Sequence, residues 1–232
     1  MLEQTTPLPG DFYIQDGWLA FTSRDYDEAD KHFNTAMETD ISGSMVHFLS
    51  YTGLGWTQLY KAHSIKETSD NGLVKAAGNN FDFALNILSE SLGNISHKSD
   101  VDNLYAGLAL QRTYFAKQKA ANITEWETTN AALSDSIRSL YMEGIEFSDM
   151  LKSDFVFQHD FSLTFIDILL LRTENYLILG NVEEAILTFG QLDFSELDFA
   201  ITVECKQGIN ADTIVECLCI VNNDGICPFG QE

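Results

Sequence analysis

One spacing recurs three times in this chain and limits what it can become. Tyr26, Ala29, Phe33 and Ala36 stand at i, i+3, i+7 and i+10. Phe81, Ala84, Leu88 and Ser91 repeat that interval, and so do Val182, Ala185, Phe189 and Leu192. On a helix, residues so spaced share one stripe, with a small residue in second place where two backbones can approach. Ahead of the first stripe, Ile14, Trp18 and Phe21 form a stripe of their own at i, i+4 and i+7. Gly17–Asp40 therefore reads as two short amphipathic helices that meet near Ser23–Asp25.

The remaining chain divides around this unit. Residues 1–10, with Pro7 and Pro9, read as an extended leader without helical periodicity. Residues 11–195 read as a helical repeat domain of about four units. A second unit opens at Tyr51–Trp56, where Gly53 and Gly55 weaken a helix unless close packing requires them. A polar extension follows Tyr60 to about Asn80, and Gly93-Asn94 suits a helix stop. Tyr105–Ala109 nearly copies Tyr51–Gly55 and opens a third unit, whose second helix is expected through Leu133, Ile137 and Leu140. In the fourth unit Leu169, Thr173 and Tyr176 mark the first helix and Gly180-Asn181 the turn. A helix–turn–helix unit repeated in this way resembles the tetratricopeptide repeat. The resemblance implies an all-α fold, a TPR-like solenoid of stacked helix pairs.

Residues 196–232 change character. Ile201–Cys205 and Thr213–Val221 are β-branched and alternating, with Gly208, Asn210 and Asp212 between them. They predict a small C-terminal β-hairpin. Cys205, Cys217, Cys219 and Cys227 all lie in this tail, and the helical part has none. An even count confined to one short segment predicts disulfides and an oxidising compartment. Four free thiols or a zinc site are the alternatives, although the spacing lacks the C-x2-C knuckles of zinc ribbons. Four cysteines allow three pairings. A hairpin turning near Ala211 would set Cys205 opposite Cys217 and leave Cys219 for Cys227, a choice that rests on the assumed register.

The stretches DFYIQDGWLAFTSRDYDEA, YTGLGW, YAGLAL and the run from Asp154 to Asp193 together resemble bacterial tetratricopeptide-repeat proteins of the cell envelope, many of them lipoproteins. The resemblance covers about residues 8–195 and implies export and a helical solenoid. It brings no activity with it. The chain departs from that group in lacking a lipidatable cysteine near Met1 and in carrying the cysteine-rich tail. The leader has neither a charged start nor an apolar core, so it does not read as an intact signal peptide. Either the protein is cytoplasmic, which the cysteines argue against, or a signal peptide has already been removed; the expectation is the second, an extracytoplasmic protein. Sequons at Asn94 and Asn122 are candidate glycosylation sites, at about the frequency chance gives.

Charge narrows the partners. With 35 acidic against 13 basic residues the chain carries a net −22, which opposes nucleic acid and anionic lipid. No apolar run reaches the roughly 18 residues of a membrane span. Phosphate-loop, nucleophile-elbow and zinc-protease motifs are absent from the sequence. His159-Asp160 is the most suggestive catalytic pair, since a carboxylate can orient an imidazole. The plainer reading is a lead-in to a helix capped by Asp160 or Ser162. Asp193–Asp198 lacks the glycine and spacing of a calcium loop and reads as a solvated acidic connection. The expectation is a protein without enzymatic activity or cofactor. It would act through contacts with other proteins, copies of itself included, in a head-to-tail oligomer or fibre built on the leader and the residues after Asp193. A monomeric scaffold that holds a peptide in a concave face is the alternative. Contacts between such acidic copies must be apolar, strand-mediated or bridged by cations.

Overall fold

The computed structural model describes residues 9–64, 71–92, 98–120, 133–192, 210 and 213–221. These are helices joined by turns, with one isolated antiparallel bridge between Val156 and Thr164. In chain order the helices are α1 (Pro9–Thr22), α2 (Tyr26–Glu38), α3 (Met45–Ser64) and α4 (Asn71–Ile87), which ends in a π turn, Leu88–Leu92. There follow α5 (Lys98–Lys119), α6 (Asp135–Asp149), α7 (Phe165–Ile178), α8 (Val182–Phe189) and α9 (Ile214–Val221). Two boundaries differ from expectation. α1 starts at Pro9, inside the expected leader, because proline at a first helical position forfeits no internal hydrogen bond. α4 starts at Asn71, inside the expected polar extension.

The described residues fall into two compact units. Those up to Gln111, with Phe157–Ser162, form the first; Arg112–Val156 and the residues from Leu163 onward form the second.

In the first unit α1 pairs with α2, α2 with α3 and α3 with α4. Two phenylalanines lock the helices together. Phe33 lies against Gly17 of α1 and Gly53 of α3, where a Cβ on Gly17 would come within 2.7 Å of its ring and one on Gly53 closer still. Phe81 lies against Gly55 of α3 and Gly107 of α5, and a Cβ on either would come within 2.5 Å of that ring. A helical glycine costs about 1 kcal/mol relative to alanine. Burying a phenylalanine side chain returns about 1.5–3 kcal/mol, so the slot is worth its glycines.

This pairing corrects the repeat register. Phe81, not Leu88, does what Phe33 does, and the matching row is Val74, Ala77, Phe81 and Ala84, all buried. Ser91, the fourth member of the expected row, is exposed.

In the second unit α6 packs on α7 and α7 on α8. The buried face of α6 runs through Tyr141, Gly144, Ile145 and Ser148. Ile137 and Leu140 are only partly buried, and Leu133 lies before the helix. Tyr141, Gly144, Ser148 and Leu151 show the 3-4-3 interval, shifted from the expected positions. α7 is buried from Ile168 to Asn175, polar residues included. Thr164, not Asp160 or Ser162, stands at its N-cap: its backbone N–H donates to the Asp167 carboxylate at 2.7 Å.

Residues Thr213–Val221 do not form a strand. Ile214–Val221 is α9, and Ile214, Cys217 and Leu218, at i, i+3 and i+4, enter one core with Leu169, Leu170, Phe189 and Leu192. Burial of a helical stripe overrides the β-propensity of its branched residues. Ahead of α9, Asn210 and Thr213 exchange hydrogen bonds (3.0 and 3.2 Å) in the pattern of a capping box. The register that set Cys205 against Cys217 falls with the hairpin. Cys217 is disulfide-bonded to a cysteine whose side chain lies outside the described ones. Cys205, Cys227, Ile201–Cys205, the leader up to Leu8, Asp193–Asp198 and both sequons also lie outside the described residues.

Candidate interaction surface

The first helices of the first unit share an aromatic face. Trp18 and Phe21 from α1 and Trp56 and Tyr60 from α3 line it, and Phe157 and His159 fill it. Phe157 is fully buried and stacks on Trp56 with ring centroids 4.2 Å apart. The His159 ring lies parallel to Trp18 at 3.7 Å. Burial pushes the imidazole pKa down to about 4, so the ring is neutral at pH 7. Asp160 does not orient it. Its carboxylate accepts from the Tyr60 hydroxyl at 2.8 Å and from the Ser162 backbone and hydroxyl at 3.0 and 2.6 Å. Burial works against that carboxylate, but these bonds outweigh it and hold the pKa below the ordinary value. The pair packs as a structural plug, its ring on Trp18 and its carboxylate on Tyr60 and Ser162. Trp56 is held in turn, its Nε1 donating to the Asn103 carbonyl at 3.0 Å.

The opposite side of α1 is open. Phe12 is 50% exposed and Leu19 67% exposed, and Gln15 between them is exposed as well. Their counterparts can be read from the slots. Gly17 matches Gly55 and Gly53 matches Gly107, so Gln15 of α1 corresponds to Gly53 of α3 and Gly107 of α5. The matching rows on those helices, Ser50–Gly53–Thr57 and Leu104–Gly107–Gln111, are wholly buried.

The second unit buries polar groups. Glu174 is nearly inaccessible and pairs with Lys117 at 2.7 Å. Arg172 donates to the Ser148 hydroxyl at 2.8 Å and pairs with Asp149 at 2.8 Å. The Asn175 amide donates to the Thr113 hydroxyl at 2.8 Å. Burial, with Glu174 and Asp167 nearby, pushes the Tyr114 phenol up to about 12. These groups are bonded to one another across α5, α6 and α7, which fits a polar core.

Of the expected packing residues, Ala29, Phe33, Ala36, Phe81, Ala84, Leu88, Ala185, Phe189 and Leu192 are buried, and Tyr26 and Val182 are partly so. Sequence reasoning missed the Phe157–Asp160 plug, whose contacts span a hundred residues or more. Among the described residues no three His, Cys, Asp or Glu side chains gather as metal ligands. No described helix is long and apolar enough to cross a membrane. Comparison with protein-family models, with curated proteins and with solved structures finds no match.

Proposed function

We propose that this is a non-enzymatic, extracytoplasmic, TPR-like protein that acts through protein–protein contacts, self-association included. One observation carries the choice of surface: the aromatic face of α1 and α3 is filled by the chain's own Phe157 and His159. A first-helix face is where a TPR-like scaffold would hold a peptide. With that face occupied in the first unit, contacts fall to outer surfaces, which disfavours the concave-face scaffold. The solenoid stacking of four helix pairs, export, and disulfides pairing Cys217 among Cys205, Cys219 and Cys227 belong to the same proposal. Self-association would use the leader and the residues after Asp193, with cations or apolar contacts overcoming the net −22.

Light scattering of the native full chain, joined with photo-crosslinking in the source cell from exposed positions, tests the reading. A mass above one chain, or crosslinks to a defined protein, is the expected result. A strict monomer without crosslinks overturns it. Mass spectrometry of the unreduced chain should find four hydrogens missing, and free thiols would remove the argument for export.

A further inference from the structure

We propose that the outward face of α1, the row Phe12–Gln15–Leu19, docks a basic amphipathic helix of another protein; this deepens the protein-contact reading and rests on it. The corresponding rows of α3 and α5 are covered, the first by Phe33 of α2 and the second by Phe81 of α4. Among the described residues, α1 thus presents a helix-binding face with no helix on it. Phe12 and Leu19, seven residues apart, lie about 10 Å apart along one side of the helix, the spacing at which a partner helix offers its own apolar residues.

Two features choose the occupant. Gln15 stands where α3 and α5 have glycine, so the face has no slot for the phenylalanine of another repeat like those in this chain. A second copy cannot continue the stack here. Charge decides the rest. α1 carries Asp11 and Asp16 and no Lys or Arg, and these carboxylates follow one on each side of the row. Two copies of α1 face to face would gather four carboxylates about one seam. A partner helix with Lys or Arg flanking its apolar row would meet both aspartates with opposite charge, which steers and orients the encounter.

The probe is a synthetic helical peptide with leucines seven residues apart and lysines flanking them, titrated into the isotopically labelled full chain by NMR. A matched peptide with glutamates in place of the lysines is the control. The lysine peptide should shift α1 amides at low salt and release at high salt, while the glutamate peptide does not bind. Phe12→Gln or Leu19→Gln, both at exposed positions, should weaken it by about tenfold or more. The double variant Asp11→Lys/Asp16→Lys should exchange the preference between the two peptides, an outcome that misfolding does not produce. Equal binding to wild type and variants, or no exchange of preference, overturns the proposal. So does dimerisation lost on Leu19→Gln, which would make a second copy the occupant. Tighter peptide binding after removal of residues 1–8 would also overturn it, making the leader the occupant. If the peptides fail while the native chain is oligomeric or crosslinked, this inference falls and the wider reading stands.

Discussion

Where the first unit inserts Phe33 between Gly17 and Gly53, the second has Ser148 at the same point of its 3-4-3 row and brings Arg172 onto it. One unit closes its helices by shape: a flat ring between two helices that each present a glycine to it. The other closes them by pairing, with Arg172, Glu174 and Asn175 buried on one helix and each bonded to a neighbour. The same interval thus supports two kinds of core. The first should be sensitive to added volume and the second to the loss of one partner.

Phe33→Ala should cost about 3–5 kcal/mol in urea unfolding, through the cavity it leaves. Gly53→Ala should cost about 1–3 kcal/mol in the native background, because its methyl group meets the ring. In the Phe33→Ala background the same change should cost almost nothing. Additive losses would break the claim that the glycine exists for the ring.

In the second unit Lys117→Met leaves Glu174 buried without its cation. Removing one partner of a buried pair costs about 3–5 kcal/mol, and because Lys117 keeps about a third of its exposure the expected loss is nearer 2 kcal/mol. Replacing both with Met should recover most of it. A double variant as unstable as the single one would show that the pair is not what this core depends on.

The plug of the first unit adds a pH dependence. His159 has a folded-state pKa near 4 against an ordinary 6.5. Between these values the unfolded chain binds the extra proton, so stability is complete above pH 6.5 and falls as the pH drops toward 4. The loss should approach about 3 kcal/mol, at 1.36 kcal/mol per pKa unit. His159→Phe keeps a ring on Trp18 and should flatten that part of the pH profile, measured as the urea midpoint. An unchanged slope would assign the dependence to other groups.

The smallest effect concerns two turns of one design. Arg24 and Gly180 both have positive φ (63° and 79°). Each N–H bonds three residues back, and the next N–H bonds five back, at 2.8–2.9 Å. Arg24→Gly should gain up to about 1 kcal/mol and Gly180→Ala should lose about as much, because only glycine adopts this conformation without a steric cost. Calorimetry should resolve the opposite signs.

The helix pairs were legible because amphipathic spacing and turn residues agree along most of the chain. The register of the second stripe was not. A 3-4-3 row moved by seven residues stays on the same helix face, so Phe81 fits as first or third member until the glycines opposite it are known. The tail misled through propensity: Ile214, Val215, Ile220 and Val221 favour strands, but the spacing of Ile214, Cys217 and Leu218 and the Asn210–Thr213 pair describe a capped helix. The plug has no local signature at all. Nothing around His159 names Trp18, and the open row of α1 can be recognised only once the covered rows of α3 and α5 are known.

That plug also gives the protein an internal optical reporter. Trp18 lies face to face with an imidazole and Trp56 with Phe157, so both indoles sense whether the segment is seated. A protonated imidazole draws electrons from an excited indole more readily than a neutral one does. In a Trp126→Phe background, emission intensity on acidification would therefore follow the protonation of a single ring, and its wavelength would follow the wetting of the face behind it. The departure of the Phe157–Asp160 segment could be timed by stopped flow without attaching a dye.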